Sequence, residues 1–414
     1  MHLLDQLEAR GLIQQITDRD GLKAALDQGP VTFYAGFDPT ADSLHAGHLV
    51  PVMLMRWLQQ AGHRPIVVLG GGTARVGDPT GKDKTRDMLD EGDIARNLAA
   101  QRAQLARYLP EEGEHGAVFV DNADWLLPLH YVDFLREIGK HFSINRMLTA
   151  EGTKQRLERN QGLSFIEFNY HLLQSYDFLV LHQQHGCTLQ VGGDDQWFHV
   201  VGGVDLIRRV QGAHAFGVTV PLLLTADGKK MGKTEGGAAF LDADKTSPYD
   251  YFQYWLNVHD DDVQKLLKLY TPLGLDVIAE LCGAGGAMLR EAKRVLAREA
   301  TRMAHGDDEA ADADFVSRVL FGKGGLSVEE RATVVRTLAR SQSFDKTTVT
   351  FPVTWVEAAV QAGLCESKGE ARRLVQQGGA RTWDEKVSDA EALIHEPAVL
   401  WAGKKKAALV VSAS

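Results

Sequence analysis

The sequence has few cysteines and no long apolar segment. Its three cysteines, Cys187, Cys282 and Cys365, lie far apart and lack the spacing of metal ligands, so we expect no metal site. This usage favours a reduced, cytoplasmic setting without a disulfide framework. No apolar run approaches the roughly 18 residues of a membrane span, so we expect no membrane partner. Residues 1–18 predict an amphipathic helix and lack the continuous apolar core of a signal peptide.

An excess of positive charge is also missing. The formal net charge is −10 over 414 residues. This argues against a protein that coats nucleic acid non-specifically, although a local basic patch could still bind RNA. The composition is otherwise ordinary for a globular protein, and the length suggests about two to four domains.

Two common phosphate-binding motifs are absent from the polar loop that follows the apolar strand candidate at 66–72. The Walker A pattern fails because its glycines are too close together and an aspartate follows the lysine. The dinucleotide-binding pattern fails because an arginine interrupts it. The loop offers Asp78, Lys82 and Arg86 instead, beside a strand end where α/β folds bind ligands. A plain solvated loop is the alternative.

Residues 31–48 predict a buried strand, a polar turn and the start of a helix. The apolar run at 31–37 is broken by a turn, and His45 and His48 stand before an apolar helical stripe. A helix start favours an anion because its N–H groups are unpaired, and two imidazoles add donors. Alternatively, the histidines are simply polar residues at a helix start.

A second helix candidate, at 163–181, carries Tyr170, Gln174 and Asp177 on one face. Burying these groups unpaired would cost about 1 to 3 kcal/mol each, so a ligand or water must satisfy them. An exposed polar edge is the alternative.

Two later strand ends are also polar. The strand candidate at 187–191 runs into Asp194 and Asp195, which could accept hydrogen bonds from a ribose or cap the next helix. After an apolar stretch at 218–224 comes a glycine-spaced loop with three lysines. Such a loop could close over a polyphosphate and stabilise a leaving pyrophosphate, or could be a surface turn.

Two of these strings resemble the signatures of one family. HAGH at 45–48 resembles the HIGH motif, and KMGKT at 230–234 resembles the KMSKS motif, of class I aminoacyl-tRNA synthetases. Tyr34, Asp78, the helix face with Tyr170 and the GGDDQW strand end look like the substrate pocket of the bacterial tyrosyl enzymes in this class. Residues 355–411 are similar to an S4-type RNA-binding domain. The resemblance covers essentially the whole chain.

The resemblance implies an α/β fold with a Rossmann-like parallel-sheet catalytic domain at 1–240. An α-helical anticodon-binding domain at 241–335, a linker at 336–351 and a small α+β S4-like domain at 352–414 would follow. A homodimer is expected as well. The apolar residues between 125 and 142 could be core or could partly form the subunit contact, and we favour a mixture.

The implied substrates are L-tyrosine, ATP with Mg²⁺, and tRNA. The tyrosine carboxylate would attack the α-phosphate of ATP, which requires positioned donors and cations but no general base. The residues implied for catalysis are His45, His48, Lys82, Arg86, Lys230, Lys233 and Thr234. Those implied for tyrosine are Tyr34, Asp78, Tyr170, Gln174, Asp177 and Gln196. Those implied for ATP are Gly36, Asp38, Thr40, His45, His48, Gly193, Asp195 and Lys233.

A basic cluster in the last domain is the candidate tRNA contact. Its members are Arg372, Arg373, Arg381, Lys404, Lys405 and Lys406. They could converge on phosphates, or they could be ordinary solvated residues.

Three alternatives to this hypothesis stay open. A tryptophan-activating relative would share the fold, but the expected phenol contacts of Tyr34 and Asp177 argue for tyrosine. Another small-acid adenylyltransferase could carry the histidine motif, yet it would not need the helical and S4-like domains. A non-enzymatic RNA-binding paralogue is disfavoured because both histidines and the loop lysines are present.

Overall fold

A computed structural model describes most of the chain. The described residues are 2–78, 89–158, 164–223, 233–234, 237–283, 285–320 and 325–412. Lys82, Arg86 and Lys230 lie outside these ranges, and only the backbone of Lys233 and Thr234 is described.

Helices and strands alternate in the first half of the chain, except that five helices of its described part follow one another between residues 122 and 188. In order they are α1 Leu3–Arg10, β1 Gln15–Ile16, α2 Arg19–Gln28, β2 Thr32–Phe37, α3 Leu49–Gln60, β3 Arg64–Leu69, α4 Glu91–Tyr108, β4 Val118–Asp121, α5 Ala123–Leu126, α6 Tyr131–Glu137, α7 Ile144–Met147, α8 Glu151–Glu158, α9 Phe165–His185, β5 Leu189–Gly193, α10 Trp197–Gln211 and β6 Phe216–Val220.

The second half is helical at first and then rich in short strands. Its elements are β7 Lys233–Thr234, β8 Gly237–Ala238, α11 Pro248–Leu256, α12 Val263–Tyr270, α13 Leu275–Gly283, α14 Gly286–His305, α15 Asp307–Val319, α16 Val328–Arg340, β9 Lys346–Val349, β10 Val353–Thr354, α17 Trp355–Gln361, α18 Lys368–Gln376, β11 Ala380–Thr382, β12 Glu385–Lys386, β13 Leu393–Ile394, β14 Ala398–Ala402 and β15 Lys406–Ser412.

The chain divides into two compact units. The first unit contains residues 1–238 and 259–283, and the second contains residues 239–258 and 284–414. Among the described residues, no helix is both long and apolar enough to cross a membrane.

A six-stranded sheet forms the centre of the first unit, in the order β1-β6-β5-β2-β3-β4. β2, β3, β4, β5 and β6 run parallel, and β1 is an antiparallel edge strand. The strand order reverses between β2 and β5, and open α/β sheets bind ligands at the carboxyl ends of strands at such a point. The structure therefore confirms the predicted Rossmann-like parallel sheet.

The expected strand, turn and helix at 31–48 are present. β2 is followed by a polar turn, a 3-10 turn at Ala46–His48, and then α3. α3 buries Leu49, Val52 and Met53 almost completely, because its apolar residues recur at helical spacing. The turn is thereby held at the carboxyl end of a central strand.

The second predicted helix is α9, and both of its ends are capped. Ser164 Oγ accepts a hydrogen bond from Glu167 N at 3.2 Å, and the Glu167 carboxylate accepts one from Ser164 N at 3.0 Å. The helix ends at Gly186, whose φ of 62° is the left-handed conformation that favours glycine. These caps set the limits of the helix that carries Tyr170 and Asp177.

The second unit combines helices with a small sheet. α11, α14, α15 and α16 pack together, and a five-stranded sheet in the order β12-β11-β14-β15-β9 follows them in the chain. α17 and α18 pack against that sheet. The predicted helical part and the small α+β part are therefore both present.

The segment 336–351, expected as a linker, is largely regular structure. α16 continues to Arg340, and Lys346–Val349 forms β9, which pairs in parallel with β15. Lys346 Nζ also donates to Ala339 O at 2.7 Å, near the end of α16. The polar local composition predicted a linker because pairing with a strand about 60 residues later leaves no local signal.

Residues 259–283 also differ from the expected domain limits, because they pack within the first unit. Arg10 Nη1 on α1 donates to Lys268 O at 3.0 Å, and Tyr270 Oη donates to Ala46 O at 3.1 Å. Helical periodicity predicts α12 but cannot tell which neighbour receives its apolar face.

Candidate active site

A cavity of about 230 Å³ opens at the carboxyl ends of β2 and β5 in the first unit. Many of the residues expected to bind tyrosine or ATP line it together. They are Tyr34, Gly36, Asp38, Thr40, His48, Asp78, Tyr170, Gln174, Asp177, Gly193 and Gln196. They come from two strands, one helix and three loops, so the sheet topology brings distant parts of the sequence to one site.

Tyr34 on β2 and Asp177 on α9 form a buried part of the cavity wall, and each is less than 5% exposed. The Asp177 carboxylate accepts hydrogen bonds from Asn122 Nδ2 at 3.0 Å and from Trp125 Nε1 at 2.7 Å. Burial nevertheless raises the pKa of Asp177 to about 7, because two donors do not replace the lost hydration. Burial, and then the charge of Asp177, raises the pKa of Tyr34 well above 10.

Several polar atoms in this wall have no hydrogen-bond partner among the residues that the structure describes. Tyr34 Oη, Gln174 Oε1 and Gln190 Oε1 are buried without a hydrogen bond. Each unpaired buried group costs about 1 to 3 kcal/mol. The wall is therefore suited to a ligand that supplies hydrogen-bonding groups of its own.

Two carboxylates lie on the side of the cavity near Tyr170. Tyr170 Oη donates to Asp38 Oδ2 at 2.9 Å, and Gln196 Nε2 donates to Asp78 Oδ2 at 3.0 Å. Burial, followed by the charges of Asp38 and Asp78, raises the pKa of Tyr170 well above 10. Tyr170 is 6% exposed, which excludes the alternative of an exposed polar edge. This side of the cavity is chemically suited to an ammonium group.

A chain of hydrogen bonds joins these two parts of the cavity. Thr73 Oγ1 donates to Asp38 Oδ1 at 2.7 Å, and Asn122 Nδ2 donates to Thr73 Oγ1 at 3.0 Å. The same Asn122 amide donates to Asp177, and its Oδ1 accepts from Gly72 N at 2.8 Å. Asn122 therefore orients the Asp177 carboxylate directly and the Asp38 carboxylate through Thr73.

His45 and His48 form a reciprocal cap at the 3-10 turn. His45 Nδ1 accepts from Gly47 N at 3.1 Å, and His48 Nδ1 accepts from His45 N at 3.2 Å. Their rings stack with centroids 3.8 Å apart. Because Nδ1 accepts in both rings, each neutral imidazole carries its proton on Nε2 and is a donor there. Only His48 of the pair lines the cavity.

The strand ends differ in what they contribute. Gly36 is exposed, and no atom of the described residues lies within 4 Å of the position a Cβ would take. Asp194 accepts from Gln15 Nε2 at 2.7 Å and from Thr219 Oγ1 at 3.0 Å, while Asp195 is exposed. Neither carboxylate caps the following helix. The alternative that these carboxylates cap α10 is therefore excluded. Asp195 is also not among the residues that line the cavity.

The basic residues expected to contact tRNA lie in the second unit. Arg372 and Arg373 are on α18, and Lys404 and Lys405 are exposed between β14 and β15. Arg381 on β11 stacks on Trp401 at 5.1 Å, and its Nη2 donates to Gly403 O at 3.4 Å. Arg381 is thus bonded to the turn that carries Lys404 and Lys405, which we call the lysine turn. Arg372 instead pairs with Glu391 at 3.4 Å.

Four residues of the site were not expected from the sequence: Thr73, Asn122, Trp125 and Gln190. Asn122 follows the end of β4, next to β3 in the sheet, and this strand-end position was the available signal. Gln190 pairs with Tyr34 in the register of β5 and β2, so the two share a face. Trp125 appeared among apolar residues of undecided role, which hid its Nε1 donor.

Comparison with known proteins gives a consistent result. Residues 26–322 match the sequence model of a family described as tRNA synthetases class I (W and Y). The tyrosine–tRNA ligase of Caulobacter vibrioides is 49% identical to this chain over 416 residues. The match covers 98% of this chain and 97% of that protein.

Solved structures agree with the fold. A C-terminally truncated mitochondrial tyrosyl-tRNA synthetase of Coccidioides posadasii is 32% identical with a TM-score of 0.68, covering 76% of this chain and 91% of that one. A tryptophanyl-tRNA synthetase of Encephalitozoon cuniculi is 13% identical with a TM-score of 0.55, covering 80% of this chain and 90% of that one. The second likeness shows the fold alone.

Proposed function

The chain belongs to the class I tRNA synthetases of the W and Y family, and from this premise we propose that its cavity holds tyrosine and ATP for the first of two reactions. The overall activity is that of a tyrosine–tRNA ligase, the name carried by relatives that match over nearly the whole chain. The enzyme activates tyrosine with ATP and transfers it to tRNA. The residue roles below are our proposals.

Tyr34 and Asp177 recognise the phenol of the substrate. Tyr34 Oη is buried without a partner, and the Asp177 carboxylate lies in the same wall. The substrate hydroxyl can donate to Asp177 and accept from Tyr34, so it satisfies both groups. Phenylalanine would leave both unpaired, which is how a hydrogen-bonding site rejects an analogue that lacks the hydroxyl. The unpartnered Tyr34 hydroxyl is the single observation that carries this proposal.

Asp78, Tyr170 and Gln174 bind the α-ammonium group, with Gln196 orienting Asp78. Gln196 Nε2 donates to Asp78 Oδ2 at 3.0 Å, and the Asp78 carboxylate lines the cavity, where its charge suits an ammonium group. Gln174 Oε1 is buried without a partner and is an acceptor that an ammonium can satisfy. The tyrosine carboxylate would then lie toward the ends of β2 and β5.

ATP lies against the turn after β2 and the end of β5. His45 and His48 contact the phosphates, and Gly36 leaves space for the nucleotide beside the strand. The remaining proposed contacts are Asp38, Thr40, Gly193 and Asp195. Because a positioned carboxylate is already a nucleophile, orientation and charge stabilisation are sufficient for attack on the α-phosphate.

Lys82, Arg86, Lys230, Lys233 and Thr234 stabilise the departing pyrophosphate. These side chains lie outside the part of the chain whose side chains the structure describes, so their support is the sequence alone: the motif for Lys230, Lys233 and Thr234, and the charged loop after β3 for Lys82 and Arg86. ATP enters as its Mg²⁺ complex, since Mg²⁺ is commonly bound by phosphates with one or two carboxylates.

The second unit contacts tRNA. Arg381 and the exposed turn with Lys404 and Lys405 are joined through Gly403, and Arg372 and Arg373 lie on the nearby helix α18, which packs on β11. Guanidinium and ammonium groups of this kind bind phosphates. We assign the helices α14 to α16 to the anticodon-binding part by family resemblance.

The active form is a homodimer in the cytoplasm. Several large apolar side chains of the first unit are each more than one-third exposed in this single chain, and we propose that they form the apolar surface of a subunit contact. Its residues are Leu127, Tyr131, Val132, Leu135, Ile144, Leu148, Phe165 and Ile166. Phe134 is buried, so the segment mixes core and surface as the sequence suggested. Cys187 and Cys365 are buried free thiols, which suits a reducing compartment.

The test is amino-acid-dependent exchange of labelled pyrophosphate into ATP. Tyrosine should support exchange, and tryptophan at the same concentration should not. Exchange with tryptophan alone would move the assignment to the tryptophan branch of the family. Absence of exchange with either amino acid would leave only an RNA-binding role.

A further inference from the structure

One polar cluster in the second unit, in which Ser247 and Ser341 are buried, has no role in the reaction described above. The Asp250 carboxylate, in the first turn of α11, accepts hydrogen bonds from the segment between α16 and β9. Oδ1 accepts from Ser341 Oγ at 2.7 Å and from Ser343 Oγ. Oδ2 accepts from Gln342 N and from Ser247 Oγ, both at 2.7 Å. A carboxylate offers about four acceptor positions, and all are used here. We call these five residues the Asp250 clasp.

The clasp is reinforced from both sides. Gln342 Oε1 accepts from Ser247 N at 2.8 Å, so the side chain of Gln342 holds the start of α11 as well. Lys346 Nζ donates to Ala339 O at 2.7 Å and to Ser341 O at 2.9 Å, which satisfies carbonyls at the end of α16. Ser341 is fully buried. These bonds hold the segment that directly follows α16 in place.

A negative charge at this position also suits the helix. Asp250 N donates to Ser247 Oγ at 3.1 Å, and Pro248 occupies the first turn of α11. The first turn of a helix favours carboxylates because of the helix dipole. Asp250 therefore stabilises the start of α11 and the segment after α16 with one side chain.

A second polar contact joins α16 to the C-terminal sheet, and it is more exposed than the clasp. Arg331 on α16 pairs with Glu385 at 2.9 Å, and its guanidinium lies 5.6 Å from the centre of the Trp383 ring. The Glu385 side chain is 72% exposed, and exposed ion pairs contribute little. The clasp is thus the more buried polar attachment between the helices and the C-terminal sheet.

We propose that Asp250 is a positioning residue for the transfer of tyrosine to tRNA. By fixing residues 341–343, it holds the C-terminal sheet and its lysine turn in one orientation relative to the helices α14 to α16. An RNA that contacts both parts then binds a preorganised surface, which lowers the ordering cost of association. This inference rests on the proposed tRNA contact of the second unit.

The experiment compares the two reactions in the full-length enzyme. Asp250→Ala should raise the KM for tRNA about tenfold if only about a tenth of the molecules keep the sheet in the competent orientation. The kcat at saturating tRNA and the tyrosine-dependent pyrophosphate exchange should match the wild type. A purely structural defect would instead lower both reactions together. Trypsin should also cleave the variant faster at Lys346.

Matched variants separate the possible outcomes. Asp20→Ala removes an exposed carboxylate from the first turn of α2, in the first unit and outside the residues proposed to bind tRNA, and should leave the KM for tRNA unchanged. If Asp250→Ala does not fold, Asp250→Asn keeps the size but removes the charge and leaves one acceptor oxygen in place of two. A wild-type KM for tRNA in the folded variant, with a raised KM in Lys405→Ala, would overturn the inference alone. A wild-type KM in both would overturn the proposed tRNA contact as well.

Discussion

At the scale of single residues, the cavity keeps polar groups in an unfavourable state until a ligand arrives. Tyr34 Oη has no hydrogen-bond partner in the described part of the chain, and Asp177 is a buried carboxyl with a pKa raised to about 7. Such groups reduce the stability of the free protein, and sites that trade stability for binding are common in enzymes. Their presence at the carboxyl ends of the central strands is what distinguishes this cavity from ordinary core.

The Tyr34 hydroxyl should affect stability and binding in opposite directions. Tyr34→Phe removes a buried group without a partner, so the free energy of unfolding in urea should stay equal or rise by up to about 1 kcal/mol. The affinity for tyrosine should fall about 2- to 10-fold, the value of one neutral hydrogen bond. Equilibrium dialysis with labelled tyrosine measures the second effect. Unchanged affinity would show that Tyr34 does not contact the substrate.

The raised pKa of Asp177 predicts a pH dependence of tyrosine binding. The ionised carboxylate accepts from the substrate phenol, whereas below a pKa of about 7 the free enzyme must first lose a proton. The affinity for tyrosine should therefore fall as the pH drops from about 7, by at most about tenfold per pH unit. Dialysis between pH 5.5 and 8.5 tests this. Asp177→Asn should lack the change, and a flat profile in the wild type would contradict the prediction.

At the scale of elements, sequence patterns predicted individual strands and helices better than the contacts between segments that are distant in the sequence. The apolar run of β2, the polar turn and the stripe of α3 are local signals, and so is the capped helix α9. By contrast, the pairing of β9 with β15 and the packing of 259–283 in the first unit depend on distant partners. Local composition does not encode a distant partner, so these features could not be predicted.

The same reasoning applies to the site. Tyr34, Tyr170 and Asp177 could be predicted because they belong to strands and helices with clear periodicity and match a family pocket. Asn122 could not, because its role arises only when β3 and β4 are neighbours and bring it beside Thr73. Residues that orient others are set by tertiary contacts and leave little trace in the sequence.

Asn122 at the end of β4 should matter for tyrosine binding through the carboxylates it orients. Asn122→Ala leaves Asp177 with Trp125 as its remaining hydrogen-bond donor and removes the donor to Thr73. The KM for tyrosine in pyrophosphate exchange should rise about tenfold or more, as expected for lost hydrogen bonds to a charged group. Asn169→Ala, on the outer part of α9, is the control. A KM that changes equally in both variants would mean that the network has no specific role.

At the scale of the whole molecule, the two units have different proposed functions. The cavity for activation lies within the first unit, and the basic residues proposed for tRNA lie within the second. The fold class of both units followed from the sequence because motifs and helical periodicity extend over long segments. The homodimer was expected from the family resemblance, and the exposed apolar side chains of the first unit support it.

The apolar surface of the first unit predicts a dimer. Val132 is 73% exposed, so Val132→Glu should leave the monomer fold intact and place a charge in the contact. The variant should elute as a monomer in size-exclusion chromatography with light scattering, while the wild type elutes as a dimer. Val328→Glu, on an equally exposed residue of the second unit, is the matched control. A wild-type monomer, or a dimeric Val132→Glu variant, would contradict this prediction.

Recognition of the substrate phenol by Asp177 is tested most directly by the preference for tyrosine over phenylalanine in pyrophosphate exchange. The ratio of kcat/KM for the two amino acids should strongly favour tyrosine in the wild type. Asp177→Asn should reduce that ratio at least about tenfold, because tyrosine alone loses a hydrogen bond to a charged group. The KM for ATP should stay within about twofold. An unchanged ratio in Asp177→Asn would show that this carboxylate does not recognise the phenol.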